Sequence, residues 1–168
     1  MGSVLSLSAM VRERRKLKRL GKRVVFTNGT FDILHRGHVT YLQAARRLGD
    51  VLVVGLNTDG SIRRIKGPKR PINPNRDRAD VLAALGCVDY VVFFGDDTPA
   101  RLIQALLPDV LVKGADWKKG AIVGGDVVEA HGGKVRRIRL VQGRSTTNVI
   151  QRILDVYCPS HPEPSRKR

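Results

Sequence analysis

Two histidines three residues apart, His35 and His38, sit in the stretch GTFDILHRGH among glycines, a threonine and one aspartate. Neutral imidazoles one helical turn apart can aim ring N–H groups at a single bound group, and flanking glycines let backbone approach it closely. Thr30 adds a hydroxyl, and Gly37 leaves room beside the rings. A phosphate suits that donor set. Zinc ligation, or one buried and one surface histidine, are the competing readings. A zinc site wants a third ligand, and only Asp32 is nearby, so no protein-held metal is expected. Neither GxxxxGK[ST] nor GxGxxG follows the first strand, which removes the two common phosphate loops.

Such a group needs a strand to deliver it and a helix to face it. RVVFTN reads as a buried strand ending at Asn28-Gly29. After it, Tyr41, Ala44, Ala45 and Leu48 recur at helical spacing, closed by Gly49. The histidines therefore lie at a helix N-terminus, where unpaired N–H groups and the dipole favour an anion. Downstream, DVLVVGLN, VDYVVFF, DVLVKG and KVRRIRLV read as further strands separated by helical segments. That alternation predicts an α/β, Rossmann-like doubly wound fold with a five-stranded parallel sheet. Ligands then bind at the carboxyl ends of the strands, near the topological switch point.

Three more places carry candidate chemistry. Ser145, Thr146 and Thr147 open the last helix, Thr146 to Val156, so three hydroxyls meet a helix N-terminus with Arg144 beside them. GSIRRI reads as a short helix before the glycine- and proline-rich loop KGPKRPINPN, and IRRIKGPKRP gathers Arg63, Arg64, Lys66, Lys69 and Arg70 in a mobile loop able to fold over phosphates, Arg63 and Arg64 reading as solvated. Arg70 and, beyond it, Arg76 are substrate-binding candidates. VKGADW follows a strand end, so Lys113, Asp116 and Trp117 line a pocket, unless Trp117 is a packed surface aromatic.

The chain of 168 residues suits one domain, and its 42% hydrophobic content lies in short periodic runs. No apolar run reaches membrane-span length. The formal net charge of +16 points to anionic partners, although much of it sits in RERRKLKRLGKR and SRKR near the two ends. Residues 1–20 read as a basic helical extension, 21–157 as the domain, and 158–168 as a disordered basic tail. Cys87 and Cys158 sit in no CxxC pattern, which implies free thiols in a reducing, cytoplasmic setting.

GTFDILHRGH matches the GTFDxxHxGH signature of the nucleotidyltransferase superfamily that includes cytidylyltransferases and pantetheine-phosphate adenylyltransferase. NTDGSIRRIKGPKRPINPNRDRADVLAALGCVDYVVFF, DTPARLIQALLPDVLVKGADW and STTNVIQRI further resemble the heptose 1-phosphate adenylyltransferases, over about residues 8–154 and without the kinase portion of the bifunctional form. The stand-alone form is therefore expected. That resemblance implies transfer of AMP from ATP to D-glycero-D-manno-heptose 1-phosphate, giving ADP-heptose and pyrophosphate for lipopolysaccharide core synthesis. It implies that His35 and His38 contact the ATP phosphates and that Gly29, Thr30 and Phe31 border the nucleotide. Asp32 would organise the turn, Ser145 to Thr147 would bind the β- and γ-phosphates, and Lys66 would act in catalysis. Thr30 stands where many such sequences have cysteine. A homodimer is also expected by this resemblance.

A sugar phosphate already carries an anionic oxygen, so the work is alignment and charge neutralisation, with Mg2+ held mainly by phosphate oxygens. Two rivals remain. One is cytidylyl transfer to glycerol phosphate, phosphoethanolamine or phosphocholine. The other is a basic nucleic-acid-binding module, disfavoured by an aromatic content of 5% and no stacking platform.

Overall fold

The computed structural model describes residues 1–117 and 119–158. The strands are β1 (Ser3–Leu5), β2 (Val24–Gly29), β3 (Val51–Asn57), β4 (Tyr90–Phe94), β5 (Val110–Gly114) and β6 (Lys134–Ile138). The helices are α1 (Leu7–Arg19), α2 (Arg36–Arg46), α3 (Asp59–Lys66), α4 (Asn75–Ala84), α5 (Ala100–Leu106), α6 (Gly125–Ala130) and α7 (Thr146–Tyr157). All strands pair in parallel in the order β1-β4-β3-β2-β5-β6.

Continuous apolar runs suit strands buried on both faces, and every residue of β3 is buried. Successive side chains alternate between two cores. Phe26, Val53, Val92 and Leu111 meet Met10, Ile103 and Leu106 from α1 and α5. Val25, Leu52, Val54 and Val112 meet Leu42, Ala45 and Leu82 from α2 and α4 on the other face. Cys87 is partly buried against that second core, Cys158 is exposed, and both thiols are free.

The sheet has six strands rather than the expected five. The added strand, Ser3–Leu5, pairs along β4 at the sheet edge through Ser3↔Tyr90 to Leu5↔Val92. Three residues carry too little pattern to reveal an edge strand, because backbone pairing holds it more than side-chain burial. Within residues 1–20, α1 buries Met10, Arg14 and Leu17. Of the segment 158–168 read as a disordered tail, residues 159–168 lie outside the described residues.

β3 and β5 flank β2 on opposite sides, so the chain reverses direction of progress across β2. The crevice at the carboxyl ends of β2 and β5 is the switch point of this fold, and β2 delivers the histidine turn into it. Among the described residues, no helix is long and apolar enough to cross a membrane.

Candidate active site

The turn after β2 is built around a column of rings. Phe31 takes a left-handed backbone, φ 41°, which lays its ring over Gly29; a Cβ there would meet the ring at 2.9 Å. The Phe31 ring lies 5.1 Å from that of His38, and His38 stacks on His35 with centroids 3.8 Å apart and planes 21° from parallel. Such strain in a non-glycine residue persists only where its surroundings hold it, and here a ring column does. His35 is the N-cap of α2 but makes no side-chain cap bond, so its imidazole is free for a ligand.

Burial and the neighbouring His35 push the His38 imidazole down to about 4, opposed by a backbone contact with Ile33. Burial, then the charge of Arg144, lowers His35 as well. Both rings are therefore neutral near pH 7. Their Nδ1 atoms are buried without hydrogen-bond partners. With the proton on Nε2, each ring would bury only a lone pair at Nδ1 and would present an N–H to a ligand. The two uncharged donors stack without repulsion.

The space over Gly37 is not open to a sugar ring. A Cβ there would sit 2.9 Å from His35 Nδ1 and 3.2 Å from Arg144 Cβ, so glycine lets His35 and Arg144, two residues before α7, pack on α2. The heads of α2 and α7 are thus adjacent. Ser145 caps α7 by accepting from Asn148 N at 3.1 Å, and Thr146 follows half-buried and Thr147 exposed.

Asp32 faces away from the cleft. Its buried carboxylate accepts from Arg70 Nε at 2.6 Å and from the backbone N–H of Ile72 and Asn73 at 2.8 and 2.9 Å. Burial raises its pKa, but these hydrogen bonds and the Arg70 charge outweigh that and hold it below the usual carboxylate range. The basic segment is therefore not the free loop expected from sequence. Arg63 to Lys66 lie on α3, and Arg70 is tied to the histidine turn. Arg76 is exposed on the first turn of α4, outside the cleft.

A cleft of about 490 Å³ opens beside the ring column. Of the residues expected from sequence it gathers Gly29, Thr30, Phe31 and His38 from the turn, and Lys66 from α3. Lys113 from β5 and Asp116 and Trp117 just beyond it close it on the other side. The Lys113 amine donates to Asn28 Oδ1 and lies 5.5 Å from the Trp117 ring centroid. Burial lowers it to about 8, opposed by Asp116. Nucleotide affinity is expected to weaken as pH rises through about 8, because the amine then loses its charge. A Lys113→Met variant should bind more weakly and lack that pH dependence, as read by calorimetric titration.

Sequence reasoning missed Asn28 and Asn57 at the ends of β2 and β3, and Asp97 and Thr98 after β4, all lining the cleft. The asparagines carried a signal, since each ends an apolar run at a strand's carboxyl end. It also missed Arg78, which is 2% exposed and sits beside Ala79 and one turn before Leu82 on the buried face of α4. An arginine in register with core residues was the available sign.

Residues 26–156 match the cytidylyltransferase-like family, and the chain belongs to it. Fold and family together define a nucleotidyltransferase. The chain is 63% identical over 140 residues to the bifunctional protein HldE of Syntrophotalea carbinolica, spanning 83% of this chain and 29% of that one. It is 60% identical over 137 residues to the HldE of Citrifermentans bemidjiense, spanning 82% and 28%. It thus spans under a third of the length of these relatives. A solved lipopolysaccharide core biosynthesis protein from Thermoplasma volcanium is 30% identical with TM-score 0.60, covering 74% of this chain and 100% of its own. Pantoate-beta-alanine ligase of Francisella tularensis, solved with a β,γ-ATP compound and beta-alanine, shares the fold at 14% identity and TM-score 0.61, covering 97% of this chain and 83% of its own.

Proposed function

We propose that this domain transfers AMP from ATP to a heptose 1-phosphate, releasing pyrophosphate and forming ADP-heptose for lipopolysaccharide core assembly. The observation that carries the chemistry is a pair of stacked, neutral imidazoles of which His38 lines a cleft that also holds Lys66 and Lys113. The sugar rests on the identity to HldE proteins and on the signature resemblance. An oxygen of the sugar phosphate attacks the α-phosphorus, the bond to the β-phosphate oxygen breaks, and pyrophosphate leaves with that electron pair. No proton needs to move, so no general base is required. The Nε2–H groups of His35 and His38 and the ammonium of Lys66 bear the charge on the α-phosphoryl group in flight. Ser145, Thr146 and Thr147 hold the outer phosphates at the head of α7.

The cleft's donor set fits a magnesium ion that arrives on ATP. Asp97 and Asp116 are separate cleft carboxylates, and no three metal-binding side chains converge among the described residues. Mg2+ keeps waters and substrate phosphates as ligands and takes one or two carboxylates, so Asp116 is the group that would hold it, Asp97 being paired with Arg64 at 2.8 Å. Bound there, it would neutralise phosphate charge.

We also propose a homodimer formed through α7. Ile153, Leu154, Val156 and Tyr157 on that helix are exposed, and α7 carries one arginine and one aspartate in a chain of net charge +16. Like copies repel least where each is locally neutral. Free thiols fit a reducing, cytoplasmic setting.

Pyrophosphate release with Mg2+, for each of four nucleoside triphosphates against heptose 1-phosphates and alcohol phosphates, tests the reading. Turnover with ATP and a heptose 1-phosphate alone is the expected result. Turnover only with CTP and an alcohol phosphate would replace the substrates and keep the mechanism. Silence with all pairs, joined to salt-dependent RNA binding, would replace the enzyme reading itself.

A further inference from the structure

Arg78 is a buried cation outside the cleft, with its side chain fully covered. Its guanidinium donates to Thr30 O at 2.6 Å, Asn57 O at 2.9 Å, Asp59 Oδ1 at 2.7 Å and, through Nε, Asn73 O at 3.0 Å. These four acceptors belong to four different pieces of chain: the histidine turn, the end of β3, the start of α3 and the segment leading into α4. Three of them are main-chain carbonyls, so the contacts fix backbone and not merely side chains.

We propose that Arg78 is a positioning residue for nucleotidyl transfer, locking the histidine turn to the α3 segment so that His38 and Lys66 converge on one phosphoryl group. The proposal rests on the nucleotidyl-transfer reading above. In a trans peptide the C=O and N–H point in opposite directions. Holding Thr30 O against Arg78 therefore turns the Phe31 N–H away from it, toward the cleft that Thr30 and Phe31 line. The same guanidinium holds Asn73, whose N–H and side-chain amide donate to Asp32 at 2.9 and 2.6 Å. The turn and the segment after Lys66 are thus clamped twice. A planar fork with five donors can span these acceptors, and a lysine amine cannot.

Arg14 supplies a matched control. It is 7% exposed and donates to Leu106 O at 3.1 Å, Leu107 O at 2.9 Å and Asp109 at 2.9 Å, but at the opposite end of the sheet from the cleft. In full-length protein, R78K and R14K are compared for thermal midpoint, for kcat and KM in the pyrophosphate assay, and for the His35 and His38 ring signals by NMR. Both variants are expected to lose stability. R78K alone should lose kcat, by about 100-fold with KM for ATP changed by less than about threefold, as for a misplacement of reacting groups. Its histidine ring signals should shift while those of R14K stay. Wild-type-like kcat in R78K, or an equal loss in R14K, overturns the proposal. Should wild type itself prove inactive with every donor, the functional reading fails and the ring signals decide alone: unmoved signals in R78K overturn the positioning role. If R78K does not fold, D59A removes one acceptor of Arg78 and leaves its three main-chain carbonyls; an unchanged kcat in that variant overturns the proposal, and a drop of about tenfold supports it.

Discussion

His38→Ala is expected to lower kcat by about 10²- to 10³-fold with a small change in KM, the cost of losing one preorganised donor to a developing phosphoryl charge. The geometry predicts more than loss. His38 lies between Phe31 and His35, so alanine also leaves His35 without its stacking neighbour. A His38→Asn variant retains an N–H donor and should recover part of the rate if hydrogen bonding is the function. Recovery by a charged residue instead would mean that a cation is required there. Steady-state kinetics of the three proteins separates these outcomes.

The pH behaviour depends on the same rings. Because His38 is held at about 4 against an ordinary 6.5, its imidazole stays neutral in the folded protein across the neutral range. Its titration should leave kcat flat between about pH 6 and 8. Stability has the opposite sensitivity to what a charged pair would give. The unfolded chain binds the proton more tightly, so stability falls as pH drops below 6.5 and continues to fall until the folded ring also protonates near 4. A kcat that tracked an ionisation near 6.5 would count against neutral donors.

Asp32→Ala is expected to produce the largest loss of stability of any change in the signature, about 3–5 kcal/mol, as for breaking a buried pair. The change leaves Arg70 uncompensated and removes the acceptor for the N–H groups of Ile72 and Asn73. Chemical denaturation gives the number, with activity measured on the folded fraction. Asp32→Asn should fall between wild type and alanine, since an amide oxygen still accepts but carries no charge. Asp32 has a depressed folded pKa, so its contribution is present above the unfolded value near 3.8 and is lost as pH falls through the folded one. Wild-type stability in Asp32→Ala would mean that the segment from Gly67 to Pro74 is held by something other than this carboxylate.

Much of the fold was legible in the chain. DVLVVGLN is an uninterrupted apolar run, which two-sided burial in a parallel sheet requires, and it became the fully buried β3. Tyr41, Ala44 and Ala45 keep helical spacing on α2, Arg36–Arg46, which ends two residues before Leu48. β1 was not legible, because an edge strand of three residues is held by backbone bonds that leave little mark on side-chain pattern. GSIRRI reads as a short helix, and α3 spans Asp59–Lys66; the glycine- and proline-rich run beyond it reads as a mobile loop, yet Asp32 restrains Arg70, Ile72 and Asn73 there.

The sequence by itself determined five of the six strands and pointed to phosphate chemistry. The spacing of apolar residues dictates strand or helix, and the GTFDILHRGH signature sets histidines at a strand-to-helix turn. Only the tertiary structure decided that His35 and His38 stack, that Gly37 seats a histidine ring, and that Asp32 and Arg78 work from behind the cleft. Those facts depend on contacts such as Arg78 with Thr30 and Asp32 with Asn73, more than forty positions apart, whose distances no local pattern encodes. Local preference is read from neighbours along the chain. The shift of a histidine's pKa and the anchoring of a turn come from neighbours in space, which exist only once the sheet has brought its strand ends together.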